Sequence, residues 1–181
     1  MNVLVLTGSP RRRGVTARLA DAFCEGASAA GHHVDRFDSA FMDVAPCKAC
    51  YHCRHHGGKC VYDDDMTELI GEDGKILSAD LIVFVSPLYY FSITAQLKAV
   101  LDRFYAVGRK MRERKQKMML ITSTGDSDPA VLAGLEAQIA SLCAWAHWQR
   151  GEDILAVGCH EVADLEKTDF VAKAYAAGKN L

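Results

Sequence analysis

Fully apolar runs alternate with amphipathic stretches along this chain. "VLVL" (Val3 to Leu6) is apolar on both faces, as a strand covered from both sides must be, and it stops at the turn "TGSP". From Thr16 to about Ala30 the apolar positions recur at helical spacing, and Gly31 closes that helix. "HVDRF" (His33 to Phe37) alternates as a half-buried strand. About 25 loop-like residues interrupt the rhythm before a weak helix from about Asp65 to Leu77. That helix has Asp63, Asp64 and Asp65 at its start, and Gly71 and Gly74 weaken it. "LIVFVS" (Leu81 to Ser86) is a second buried strand. In "ITAQLKAVLDRFYAVG", Leu97, Val100, Leu101, Phe104 and Val107 share one face of a helix expected to end at Gly108. "KMMLITST" (Lys117 to Thr124) is a strand. Asp128 and Pro129 read as N-cap and first helical residue, followed by Leu132, Leu135, Ile139 and Leu142 at helical spacing. "DILAVG" is the last strand, and a helix from about Leu165 to Ala177 closes the chain.

Five apolar strands separated by helices predict an α/β fold, a doubly wound five-stranded parallel sheet with helices on both faces. The expected strand order is the flavodoxin-like 2-1-3-4-5, which places a ligand site at the carboxyl ends of the strands. The 181 residues suit a single domain, 1–181, with a cysteine-rich insertion loop at about 43–64; no repeat or linker divides them. The loops after strands one, three and four are therefore where function is expected.

Composition narrows the classes. Half of the residues are hydrophobic, about a quarter (24%) are charged, and the net charge is −2. Such a balance carries no electrostatic footprint for nucleic acid. No apolar run is expected to reach the length of a membrane span. The opening "MNVLVL" reads as a strand and not as a leader. The expected setting is the reducing cytoplasm, where structural disulfides are rare. Of the seven cysteines, Cys24, Cys143 and Cys159 stand in apolar surroundings and read as small core residues.

The loop "TGSPRRRGVT" (Thr7 to Thr16) joins a buried strand to a helix N-terminus, where free N–H groups and the positive dipole end suit a phosphate. Ser9 and Thr16 add hydroxyls, and Arg11, Arg12 and Arg13 add charge. It is not a P-loop: five residues separate Gly8 from Gly14, and Val15 stands where lysine belongs. It also lacks the dinucleotide fingerprint and a nucleophilic cysteine. An ordinary turn with solvated arginines is the plain alternative. "SPLYYFSIT" (Ser86 to Thr94) gathers aromatics where a helix is about to begin, which suits a flat aromatic ligand, a core or an interface. "STGDSD" (Ser123 to Asp128) offers a small polar edge, and Gly125 lets backbone come close to a ligand.

A phosphate at one loop and a planar ring at the next describe flavin mononucleotide. The segments "LTGSPRRRGVTARL", "CVYDDDM" and "SPLYYFSITAQLKAVLDRF" resemble the flavodoxin-fold NAD(P)H-dependent FMN reductase family over roughly the first 105 residues. The resemblance implies FMN bound non-covalently. Ser9, Arg11 and Thr16 would hold the phosphate in a backbone cradle that includes Gly14. Pro87, Leu88, Tyr89, Tyr90 and Phe91 would frame the isoalloxazine, with Thr124, Gly125 and Asp126 on its other side. Val15 departs from the family, which often has asparagine there.

The remaining four cysteines form "CKACYHCRHHGGKC", a C-x2-C-x2-C-x6-C run. Zinc sites usually set two C-x2-C pairs apart, whereas a compact quartet suits an iron–sulfur cubane with one thiolate per iron. Within the family the pattern resembles the iron–sulfur flavoproteins, whose 4Fe-4S cluster would fall to Cys47, Cys50, Cys53 and Cys60. Free thiols remain open, as does zinc completed by His52, His55 or His56. The resemblance implies electrons from NAD(P)H or ferredoxin, a small acceptor such as a quinone or oxygen species, and a homodimer or homotetramer that brings one subunit's cluster toward another's flavin. A cluster-free NAD(P)H:FMN or quinone reductase is the alternative, and a metal- or redox-sensing module the second. The basic "RKMRERKQK" (Arg109 to Lys117) reads as a solvated loop, or as a contact for an NADPH phosphate or an acidic carrier. Trp145 and Trp148 suit a core edge or an interface.

Overall fold

The computed structural model describes all residues from Met1 to Leu181. Strand β1 (Asn2–Thr7) leads into helix α1 (Val15–Ala29) and strand β2 (His33–Asp38). Three one-turn helices follow, α2 (His52–His55), α3 (Thr67–Ile70) and α4 (Lys75–Ser78). Strand β3 (Leu81–Pro87) precedes α5 (Ala95–Arg103) and α6 (Gly108–Arg112). Strand β4 (Lys117–Ser123) precedes α7 (Ala133–Ala146). The chain ends with β5 (Gln149–Arg150), β6 (Ile154–Ala156), α8 (Val162–Leu165) and α9 (Phe170–Lys179).

All strand pairs are parallel, in the order β2-β1-β3-β4, with β5 and β6 both on the far side of β4. This is the expected flavodoxin-like sheet with its fifth position broken in two. Between β5 and β6 the Asp153 side chain accepts from the Leu120 N–H at 2.8 Å, replacing a ladder bond. Strand alternation sends Leu4, Leu6, Ile82, Phe84 and Leu120 to one face, against Leu97 and Val100 of α5 and Leu135 and Ile139 of α7. Val3, Val5, Val83, Val85 and Ile121 face the other way, against Leu19 and Phe23 of α1 and Ala174 of α9.

Several boundaries differ from the sequence reading. The weak helix at 65–77 is two separate turns, because Gly71 and Gly74 sit where a Cβ would fall 2.5 Å from Thr67 O and 2.3 Å from Leu69 O. The helix expected to stop at Gly108 ends at Arg103 and tightens into a 3-10 turn over Phe104–Ala106. Gly108 instead opens α6, and its bare Cα makes room for the Trp145 ring. The closing helix is α9, five residues later than predicted, after the separate turn α8. The apolar run Pro129–Ala146 does have the length and composition of a membrane span, contrary to expectation. In the fold it lies along the sheet, with Leu132, Leu135 and Ile139 fully buried.

The scattered cysteines behave as expected: Cys143 and Cys159 are buried, and Cys24 is half-buried. Burial pushes the Cys24 thiol up to about 11, against the pull of Arg36, which leaves it unreactive at neutral pH. Trp148 is buried and donates Nε1–H to Gln116 at 3.1 Å, whereas Trp145 is half exposed beneath the Arg112 guanidinium. The basic run begins inside α6, where Met111 is buried. It ends at Lys117, which opens β4 and so lies at the amino edge of the sheet.

Candidate functional site

The three predicted loops meet at the carboxyl edge, and one hydroxyl locks two of them together. Thr94 Oγ1 donates to Gly8 O at 2.7 Å and accepts from Leu97 N as the cap of α5. A Cβ on Gly8 would fall 2.4 Å from that Oγ1 and 2.8 Å from Leu97 Cβ, so the loop after β1 can approach α5 only as glycine.

The turn from β1 to α1 ends at Gly14, the N-cap position of α1, where no side chain caps the helix, and no acid stands in the first helical turn. The free N–H groups there suit an anion. Ser9 is buried, and its Oγ accepts from Arg11 N at 3.1 Å. Thr16 is buried in the first turn, and the Arg11 side chain is exposed. Ser9 and Arg11 line a small pocket of about 60 Å³ with Thr7, Arg12, Arg36, Asp38 and Phe41. Three of these come from β2 and the turn after it, a loop that the sequence reading passed over. Arg36 and Asp38, two apart on one strand face, were the available signal. Arg36 is committed to Asp21 and to Asp38 (2.8 Å), and the Arg12 guanidinium lies 3.7 Å over the Phe41 ring. Of the three pocket arginines only Arg36 is in an ion pair; Arg12 stacks on Phe41, and Arg11 is left exposed with neither contact.

The aromatic loop is a two-residue reverse turn. Tyr89 and Ser92 exchange backbone hydrogen bonds at 3.0 and 3.1 Å, and Tyr90 (φ 47°) and Phe91 (φ 64°) take left-handed conformations. Such positions cost non-glycine residues about 1–3 kcal/mol each and recur at ligand clamps. The turn is held by Leu88 N donating to Ser123 O at 2.9 Å and by Ser92 Oγ donating to Gln138 at 2.9 Å. Leu88, Tyr90 and Phe91 meet Thr124, Asp126 and Val131 around a cavity of about 300 Å³. Tyr90 and Phe91 are 99% and 61% exposed, leaving their faces free for stacking. Pro87 is half-buried in register with Ser123, and Tyr89 stands beside the cavity without lining it. Gly125 makes its close approach to His160, a residue the sequence gave no reason to pick: a Cβ there would lie 2.8 Å from the ring Nδ1.

The cysteine stretch occupies a second region. Cys47, Cys50, Cys53 and Cys60 line one cavity of about 270 Å³ with Tyr51, Tyr62, Arg103 and Tyr105. None is disulfide-bonded. Burial, reinforced by the neighbouring Cys60, raises the Cys53 thiol above its ordinary value, so metal binding there would release a proton. No three histidine, cysteine or acidic side chains converge on one ion-sized point. His52 and His56 stack on each other at 3.8 Å, and no histidine lines the cavity. Four thiols around a cavity suit a multi-iron cluster better than one tetrahedral ion. The aromatic cavity is built from the loop that precedes α5, whereas the cysteine cavity borders the last residues of that helix, Asp102 and Arg103.

Both ends of the cysteine stretch are pinned to α5 by a buried ion pair. Arg103 and Asp64 are 1% and 5% exposed, joined at 2.7 and 3.0 Å. Arg103 also donates to Ala45 O at 2.8 Å, and Asp64 accepts from Ala45 N and Met66 N. Asp65 accepts from Asp43 N at 2.6 Å. Of the three aspartates expected at a helix start, Asp64 and Asp65 instead tie the stretch shut. Burial opposes the Asp64 charge, but Arg103 and the two N–H donors outweigh it and hold the carboxyl below its ordinary value. Its stabilising contribution is thus present at neutral pH and is lost as the pH falls below about 4 through the depressed native value. Acid titration followed by tyrosine fluorescence should show that phase in the wild type and not in Asp64→Asn.

A doubly wound parallel sheet, an uncapped phosphate-type turn and an aromatic cavity at the same edge define a flavodoxin-like protein built for a nucleotide with a flat ring. The chain belongs to the NADPH-dependent FMN reductase family of oxidoreductases, whose family model matches residues 1–159. It is 35% identical over 147 residues to an iron-sulfur flavoprotein of Methanosarcina thermophila, covering 81% of this chain and 73% of that one. An iron-sulfur flavoprotein of Archaeoglobus fulgidus is 29% identical over 146 residues, covering 80% of this chain and 64% of its own length. Among solved structures, the fold matches an NAD(P)H:quinone oxidoreductase from Methanothermobacter marburgensis, with TM-score 0.75, 21% identity, and 99% and 95% of the two chains covered. It also matches an azoreductase from Bacillus anthracis, with TM-score 0.77, 18% identity and full coverage of both.

Proposed function

We propose that this protein is an FMN-dependent redox flavoprotein that also carries a 4Fe-4S cluster on Cys47, Cys50, Cys53 and Cys60. On this reading it passes electrons from a reduced nicotinamide or ferredoxin to a small acceptor. The observation that carries the reading is that all four cysteines of the run line one cavity, in a chain of the FMN reductase family. The names of the relatives support it. A bound flavin supplies exchange between two-electron and one-electron chemistry, and a cluster supplies one-electron transfer.

The chain's own residues position and shield. Ser9, Arg11, Thr16 and the free N–H groups of the first turn of α1, from Val15 onward, hold a terminal phosphate, with Gly14 shaping the turn. Pro87 to Phe91 frame one side of the ring, and Thr124, Gly125 and Asp126 the other. No acid or nucleophile of the protein takes part in bond making. The two cavities share no residue, and a homodimer or homotetramer would let electrons cross between one subunit's cluster and another's flavin. With the basic run at the amino edge, an NADPH phosphate that reaches the ring cavity meets other groups, and an acidic carrier is the better partner for that run.

Ser9→Ala and Thr16→Val should each weaken FMN binding about 10-fold, the loss of one hydrogen bond to a charged group. The domain should stay folded, as read by flavin fluorescence quenching and thermal unfolding. Flavin-loaded protein should be bleached by NADPH or NADH, or by reduced ferredoxin, and reoxidised by a quinone. A chain that binds no FMN would contradict the proposal, and flavin turnover without iron would leave a cluster-free NAD(P)H:FMN or quinone reductase.

A further inference from the structure

Arg103 has more donors than its ion pair uses. Its Nη1 serves Asp64 and Ala45 O, and its Nη2 serves Asp64. The Tyr62 ring covers the guanidinium carbon at 4.8 Å. The Nε–H is buried and has no partner, one of only two side-chain atoms in the protein so placed. Cys60 and Arg103 line the same cysteine cavity, and the Cys60 thiol is near enough to act on the guanidinium charge. A buried donor without an acceptor costs about 1–3 kcal/mol. A neutral thiol accepts weakly, whereas a sulfur bound to iron carries more negative charge and accepts well.

We propose that Arg103 is a positioning residue for the iron–sulfur centre, its Nε–H donating to the Cys60 sulfur. This rests on the iron–sulfur reading above and adds a tuning role to it. Hydrogen bonds to ligating sulfurs stabilise the more negative, reduced cluster and so raise its reduction potential. Asp64 balances the charge of Arg103, so the directional N–H is what distinguishes the cluster's environment. The bidentate pair fixes the guanidinium plane, and with it the direction of Nε.

Arg103→Lys isolates this donor, because lysine keeps a cation for Asp64 and has no N–H at the Nε position. Both proteins are purified without oxygen, and iron and FMN per chain, the cluster and flavin midpoint potentials and the rate of iron release to a chelator are measured. The expected result is unchanged iron and FMN content, a cluster potential moved to a more negative value, an unmoved flavin potential and iron release about 10-fold faster. The double variant Arg103→Met with Asp64→Asn removes both charges together, and the asparagine amide oxygen still accepts from a backbone N–H of Ala45 or Met66, which keeps the fold if lysine does not. It should show the same negative shift. An unchanged cluster potential in an iron-bearing variant overturns the tuning role and leaves Arg103 as a staple only. Wild-type protein without iron overturns both this inference and the iron–sulfur reading, so the two failures are distinct.

Discussion

Replacing Asp64 by alanine is expected to destabilise the protein by about 3–5 kcal/mol and to release the cysteine stretch from helix α5. The size follows from what is left behind. Arg103 is 1% exposed, so its charge would be stranded in the interior with only Ala45 O to satisfy it. Ala45 N and Met66 N would lose their acceptor in the same step. These bonds hold the two sides of the stretch, before Cys47 and after Cys60. Urea unfolding should show a lower midpoint, and limited proteolysis should cut between residues 43 and 64. An alanine variant as stable as the wild type, with an intact stretch, would show that the pair does not anchor the cysteines.

Cys50→Ser should lose the iron and keep the flavin. Cys50 is exposed and makes no hydrogen bond that the fold depends on, so its effect on stability should stay within about 0.5 kcal/mol. A cubane iron, by contrast, loses its thiolate when that sulfur becomes a hydroxyl. The FMN loops lie at the other end of α5 and share no residue with the cysteine cavity. Iron, FMN and thermal midpoint measured on one preparation separate the outcomes. If the variant unfolds instead, the cysteine stretch is a structural staple and its redox role fails.

The sheet was legible because buried parallel strands must be apolar on both faces. "VLVL", "LIVFVS" and "KMMLITST" announced β1, β3 and β4 for that reason. The loops that follow two of these strands carried the site's aromatic and polar residues in plain view. What stayed hidden depends on contacts between distant segments. The Arg36–Asp38 pair could be read as sharing one strand face but not as a pocket wall, because β2 joins the site only once it pairs with β1. The split edge strand depends on one side chain, Asp153, capturing a backbone donor of β4. Gly108 looked like a helix stop because the ring it makes room for, Trp145, is remote in sequence. Arg103 did leave a trace. It falls three residues after Val100 on the stripe begun by Leu97, and a charge on an apolar stripe needs a buried partner.

The most direct test of the whole account is the composition of protein purified without oxygen, with FMN, iron and zinc counted per chain beside the visible spectrum. That composition is expected to be one FMN and about four irons per chain, with flavin bands riding on broad cluster absorption. FMN with neither iron nor zinc, or zinc in place of iron, would contradict it and return the four cysteines to thiols or a zinc site beside an FMN reductase fold.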